Sequence, residues 1–100
     1  MRSRDETLSI LRANLTKLQA DFGVRKLAIF GSVARDTARE DSDVDIIAEF
    51  ECPIGLRFVD FAERLEELLG TRAEVLTPAG VSAIRNPQIR KSIQESTVDV

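Results

Sequence analysis

Two aspartates separated by a single residue, Asp43 and Asp45, and a glycine–serine pair, Gly31-Ser32, have types and spacing that could do chemistry. If a strand begins near residue 43, both aspartates point to one face, about 6–7 Å apart. At an effective dielectric near 20, two such charges repel by roughly 2–3 kcal/mol, and strands disfavour Asp in the first place. Water or a cation must offset that repulsion, and hard divalent ions such as Mg²⁺ prefer oxygen ligands of this kind. Gly31 closes an apolar run and lets the backbone come close to a ligand. Ser32 adds a hydroxyl, and a helix starting there would turn free N–H groups toward an anion such as phosphate. Each pair on its own also occurs in ordinary surface turns, or as a plain helix cap in the case of Ser32. Only together, facing one cleft, do they make a metal-and-phosphate site.

Bringing them together is the task of the flanking elements. Lys26-Leu27-Ala28-Ile29-Phe30 is a short apolar run with the character of a buried strand, ending at Gly31-Ser32. Val44 to Phe50 reads as a second strand, with Val44, Ile46, Ala48 and Phe50 on one face and Asp43, Asp45, Ile47 and Glu49 on the other. The end of the first strand meets the start of the second if the two run antiparallel. The ten residues between Ser32 and Asp43 can make that connection, with Val33 to Ala38 as a short helix and Asp41-Ser42 as a turn.

The remaining segments cover the sheet. Leu8, Leu11, Leu15, Leu18 and Phe22 line one face of a helix from about Asp5 to Asp21, stopped by Gly23. After the break at Cys52-Pro53-Ile54-Gly55, a helix from Leu56 to Leu69 turns Phe58, Phe61, Leu65 and Leu68 toward the core and ends at Gly70. Its opposite side, Arg57, Asp60, Arg64 and Glu67, is expected to be solvated. Arg72 to Thr77 reads as a third strand, terminated by Pro78 and Gly80. Asn86-Pro87 opens a last helix carrying Ile89 and Ile93, and the segment from Glu95 to Val100 either frays or makes a contact. The order helix, strand, short helix, strand, helix, strand, helix describes an α/β (α+β) fold. It comprises a small mixed sheet of three strands or slightly more, with helices packed on it.

At 100 residues the sequence is expected to form one domain. There is no histidine, which excludes His-based zinc sites, His general bases and Ser-His-Asp triads. The single cysteine, Cys52, reads as a semi-buried spacer rather than a nucleophile. A net charge of −3 with scattered basic residues argues against an extensive nucleic-acid surface. No apolar stretch is long enough to span a membrane, and the N-terminus lacks a signal peptide's apolar centre, so the cytoplasm is the expected location. Any chemistry must therefore run on carboxylates, hydroxyls, Arg, Lys, backbone groups and metal.

The segments Gly31-Ser32-Val33-Ala34-Arg35 and Asp43-Val44-Asp45-Ile46, at their spacing, resemble the signature of the DNA polymerase beta nucleotidyltransferase superfamily. The likeness extends to Pro53-Ile54-Gly55-Leu56 and to Glu74-Val75-Leu76-Thr77-Pro78, covering roughly Leu27 to Ile93. With no further domain, the chain is most similar to the minimal nucleotidyltransferases. This resemblance implies a nucleotidyltransferase core in which Gly31, Ser32 and Arg35 bind the phosphates of a nucleoside triphosphate. Asp43, Asp45 and Glu74 would then hold two Mg²⁺ ions and serve catalysis, with Arg35 neutralising developing charge. Glu74 stands where the family usually carries Asp, and Asp36 where it favours Gly. From the residues alone, Glu74 could instead be a solvated strand-end charge, and Arg35 a surface residue paired with Asp36, Glu40 or Asp41.

The resemblance further implies transfer of AMP from ATP to a hydroxyl, a tyrosine on a partner HEPN-domain toxin, with this chain as the antitoxin. Two alternatives stand beside it. One is a non-catalytic module that neutralises the partner by contact; the other is nucleotidyl transfer to RNA or a small molecule. Either the first or the last helix could carry a homo-oligomer contact.

Overall fold

The computed structural model describes residues 3–38 and 43–100. The elements are α1 (Arg4–Phe22), β1 (Val24–Phe30), α2 (Gly31–Ala34), β2 (Val44–Phe50), α3 (Arg57–Leu69), β3 (Ala73–Leu76), α4 (Pro78–Ser82), α5 (Pro87–Ser96) and β4 (Val98–Asp99). The strands form one mixed sheet in the order β3-β2-β1-β4. β1 runs antiparallel to β2, with Leu27 opposite Ala48 and Phe30 opposite Asp45, as the position of the two motifs demanded. β3 lies parallel to β2, the arrangement that needs a crossover helix, and α3 supplies it.

The first helix begins at a capping pair: the Ser3 hydroxyl accepts from the Glu6 N–H at 3.2 Å. Leu8, Leu11 and Leu18 from α1, Leu27 and Ile29 from β1, Ile46 and Ala48 from β2, and Phe61, Leu65 and Leu69 from α3 form a continuous buried core. Phe61 lies at its centre, fully buried and edge-on to Phe22 (5.3 Å between centroids) and Phe50 (5.1 Å). With so few aromatics, this trio and the aliphatic residues around it provide most of the apolar burial. The alternation in β2 follows the predicted faces: Val44, Ile46 and Ala48 are buried, while Asp45, Ile47 and Glu49 are partly open.

Of the two outcomes expected for the segment after Glu95, fraying or a contact, the contact is found, while several other expectations need correction. Val98–Asp99 forms a fourth strand antiparallel to β1, pairing Ile29 with Val98 and Ala28 with Asp99, and the Val100 N–H donates to the Leu27 carbonyl. Two residues carry too short a pattern for a strand to be read from sequence. Thr77-Pro78 ends β3 but also starts α4: the Thr77 hydroxyl accepts from Gly80 N–H and Pro78 occupies the first turn. The short helix predicted over Val33 to Ala38 begins at Gly31 and ends at Ala34, so Phe30 stands at its cap position and Ser32 lies within its first turn rather than capping it. Cys52 is exposed, not semi-buried. The supposedly solvated side of α3 is partly engaged. Arg64 donates to the Asp21 carboxylate at 3.0 Å, Arg57 donates to the Asp21 carbonyl, and both guanidinium groups lie over the Phe22 ring. The predicted turn at Asp41-Ser42 lies outside the described residues.

Candidate active site

Gly31 sits at the junction of β1 and α2 with a φ of 73°, the left-handed region that side chains avoid. Geometry excludes a side chain there for a second reason. A Cβ at this position would overlap Asp45 Oδ2 and lie 3.3 Å from Asp45 Cγ. The glycine turn and the second aspartate are thus in direct contact, as the strand register requires: Phe30, the residue before the turn, is the β1 partner of Asp45.

Asp45 in turn pairs across the sheet with Glu74 of β3. Residues facing each other in a sheet project to the same side, so Glu74 joins Asp45 on the open face. The Asp45 carboxyl is pushed up from 3.8 to about 6. Partial burial is the largest cause, followed by the negative charges of Glu74 and Asp43 and by a hydrogen bond between the Asp45 and Glu74 side chains that favours the protonated form. Asp45 therefore feels both of the other carboxylates with which it was predicted to act. Asp43 and Asp45 are partly open to solvent, and Glu74 is exposed.

The donor set fits a divalent cation chemically, since all three members offer hard oxygen ligands and their mutual repulsion is of the kind such an ion offsets. Among the described residues, however, no three Asp, Glu, Cys or His side chains are gathered into metal-ligating geometry. Asp45 and Glu74 share a side-chain hydrogen bond.

The turn expected to take phosphate is flanked by α2 and α5. Arg35, just past α2, donates to Ser92 Oγ at 2.6 Å. Two of the partners suggested by its neighbourhood, Glu40 and Asp41, lie outside the described residues. Asp36 takes a left-handed conformation (φ 60°), the only described non-glycine residue to do so, and its carboxylate accepts from the Arg4 N–H at 3.3 Å. Asp can occupy the position where the resemblance expects Gly because its short polar side chain tolerates this region better than most. The Gly31 N–H donates to Ser96 Oγ at 3.2 Å. A cavity of about 290 Å³ lies between this turn and α5. Ser92 and Ser96 belong to the site's surroundings but carry no motif, and only their four-residue spacing on a helix following Asn86-Pro87 could have drawn attention to them.

Among the described residues, no helix is long and apolar enough to cross a membrane. The model of the nucleotidyltransferase domain family matches residues 11–100. Protein adenylyltransferase MntA of Thermococcus cleftensis is 42% identical over 84 residues, spanning 83% of this chain and 85% of that protein. A solved structure assigned to the minimal nucleotidyltransferases superposes with a TM-score of 0.73 at 30% identity, covering 99% of this chain and 97% of the other. A chain from the complex of an MNT antitoxin with the tri-AMPylated Shewanella oneidensis HEPN toxin shares the fold. It superposes with a TM-score of 0.54 at 12% identity, over 96% of this chain and 66% of that one. A glycine turn seated on an aspartate, a carboxylate cluster on the open sheet face and a family match over nine-tenths of the sequence converge: the chain belongs to the nucleotidyltransferase domain family, with the fold of the minimal nucleotidyltransferases.

Proposed function

We propose that this chain is a single-domain, Mg²⁺-dependent adenylyltransferase of the cytoplasm. It transfers AMP from ATP to a tyrosine hydroxyl of a partner HEPN toxin and thereby acts as its antitoxin. The observation that carries the reading is the contact of Gly31 with the Asp45 carboxyl, itself crowded by Asp43 and Glu74. It joins a backbone turn suited to phosphate with a carboxylate cluster suited to cations. The choice of partner rests on the named relative, a protein adenylyltransferase, and on the AMPylated HEPN toxin found with an MNT antitoxin.

In this reading the Gly31 turn, Ser32 and Arg35 hold the triphosphate, and Arg35 offsets charge that builds on the departing pyrophosphate. Asp43, Asp45 and Glu74 would hold two Mg²⁺ ions, which when bound neutralise phosphate charge and favour in-line displacement. The acceptor hydroxyl oxygen bonds to the α-phosphorus, the bond from that phosphorus to the bridging oxygen breaks, and pyrophosphate leaves. The hydroxyl proton passes to a carboxylate oxygen of the cluster. Glu74, exposed beside Asp45, is the member that an acceptor arriving from solvent meets first.

Incubation with labelled ATP, Mg²⁺ and the partner should label the partner. The doubly substituted Asp43→Asn, Asp45→Asn chain should not. Transfer that survives the double substitution removes these residues from the mechanism. The alternative is a neutralising module that works by contact. On that alternative the same variant neutralises the toxin undiminished.

A further inference from the structure

The last helix is held to the phosphate turn in an unusual way. None of the residues of α5 is fully buried. Among the described residues, two hydroxyl bonds tie it to the turn. Ser92 Oγ accepts from the Arg35 guanidinium at 2.6 Å, and Ser96 Oγ accepts from the Gly31 N–H at 3.2 Å while donating to the Ile93 carbonyl at 3.2 Å. Gln88, Ser92 and Ser96 follow one another at four-residue intervals, so they form a single polar stripe on the helix. All three line the cavity of about 290 Å³ that also touches Phe30, Gly31 and Arg35.

Each bond fixes something the nucleotide site needs. A flexible arginine loses much of its rotamer freedom when it grips a ligand, and a partner that pre-orients its planar guanidinium reduces that loss. Ser92 is such a partner for Arg35. Ser96 acts on the backbone: by holding the Gly31 N–H it secures the left-handed turn that brings the chain against the Asp45 carboxyl. The geometry points to Ser92 and Ser96 as positioning residues of the nucleotide site, Ser92 acting through Arg35 and Ser96 through the Gly31 turn. This inference rests on the reading of Gly31 and Arg35 as phosphate-binding groups.

The test is a double-mutant cycle read by Mg²⁺-ATP binding and by steady-state kinetics with the partner. Loss of a hydrogen bond that orients a charged group should weaken ATP binding about 5- to 10-fold in Ser92→Ala. KM should rise and kcat should fall as well, because Arg35 both holds the bound triphosphate and offsets charge building on the departing pyrophosphate. Ser92→Thr, which keeps the hydroxyl, should restore binding. In the Arg35→Ala background, Ser92→Ala should cause no further loss, since Ser92 has nothing left to orient. Ser96→Ala should weaken binding in both backgrounds. Wild-type affinity in Ser92→Ala, additive losses in the double variant, or failure of Ser92→Thr to restore binding would each overturn the assignment. Wild-type protein that binds no ATP would instead remove the nucleotide reading and this inference with it, so the two failures are distinguishable.

Discussion

Replacing Asp45 by Asn should make the metal-free protein more stable at neutral pH while abolishing nucleotidyl transfer. Folding raises the Asp45 carboxyl from 3.8 to about 6, through burial and the charges of Glu74 and Asp43. The native state therefore holds its proton more tightly than the unfolded chain, and stability falls as pH rises from about 4 to about 6, the cost being complete above that window. At 1.36 kcal/mol per pH unit a fully shielded group would contribute about 3 kcal/mol. Asp45 is partly open to water, and screening reduces this to about 1–2 kcal/mol. Asn keeps the shape, carries no charge and can still donate to Glu74. With a melting shift of about 4–8 °C per kcal/mol for a domain of this size, Asp45→Asn should melt roughly 4–16 °C above wild type at pH 7.5. The gap should close toward pH 4. Circular dichroism melts in EDTA-containing buffers at both pH values measure this. A variant that melts at or below wild type at pH 7.5, or an equal gap at both pH values, would refute the charge-crowding argument.

Gly31→Ala should destabilise the fold by about 1–2 kcal/mol from the left-handed backbone alone, and the overlap with Asp45 should add to this and abolish ATP binding; chemical denaturation and calorimetric titration report the two effects. Saturating Mg²⁺ should raise the melting temperature of wild type, by about 2.7 kcal/mol of stabilisation at one hundred times its Kd, and leave the Asp43→Asn, Asp45→Asn variant unchanged. Phe61→Ala removes the fully buried ring between Phe22 and Phe50 and should cost about 3–5 kcal/mol in denaturant unfolding.

The legible parts of the sequence were those where one residue type has one physical explanation. Alternation in Val44 to Phe50 fixed which side of the sheet Asp45 would occupy, and the gap between Ser32 and Asp43 implied the antiparallel pairing found. Gly31 was identifiable as a close-approach position, although what approaches it, the Asp45 carboxyl, depends on register and side-chain packing. Glu74 faces Asp45 because β3 is parallel to β2 and in register with it, an alignment that the sequence of β3 alone does not carry. The structure also reveals what short-range pattern could not convey. β4 is defined by its partner β1 rather than by its own two residues, and the hydroxyls of Ser92 and Ser96 gain meaning only from the turn they touch. Arg57 and Arg64 looked like a solvated face because guanidinium groups lying over an aromatic ring leave no periodic signal.

The pairing of β4 with β1 has a consequence for the order in which the molecule assembles. β1 and β2 join through a short connection, and β3 follows β2 after a single helix, so these contacts close small loops. Ala28 and Asp99 meet across most of the length of the sequence, so few ladder pairs repay a long loop. The α5–β4 segment should therefore dock last and release first, leaving the rest of the sheet in place. Amide protons of Val98 to Val100 would then exchange faster than those of Ile29 or Ile46. Nucleotide captured at the Gly31 turn would slow that exchange, making a spectroscopic record of the sheet's outermost strand a measure of occupancy at a site it never touches.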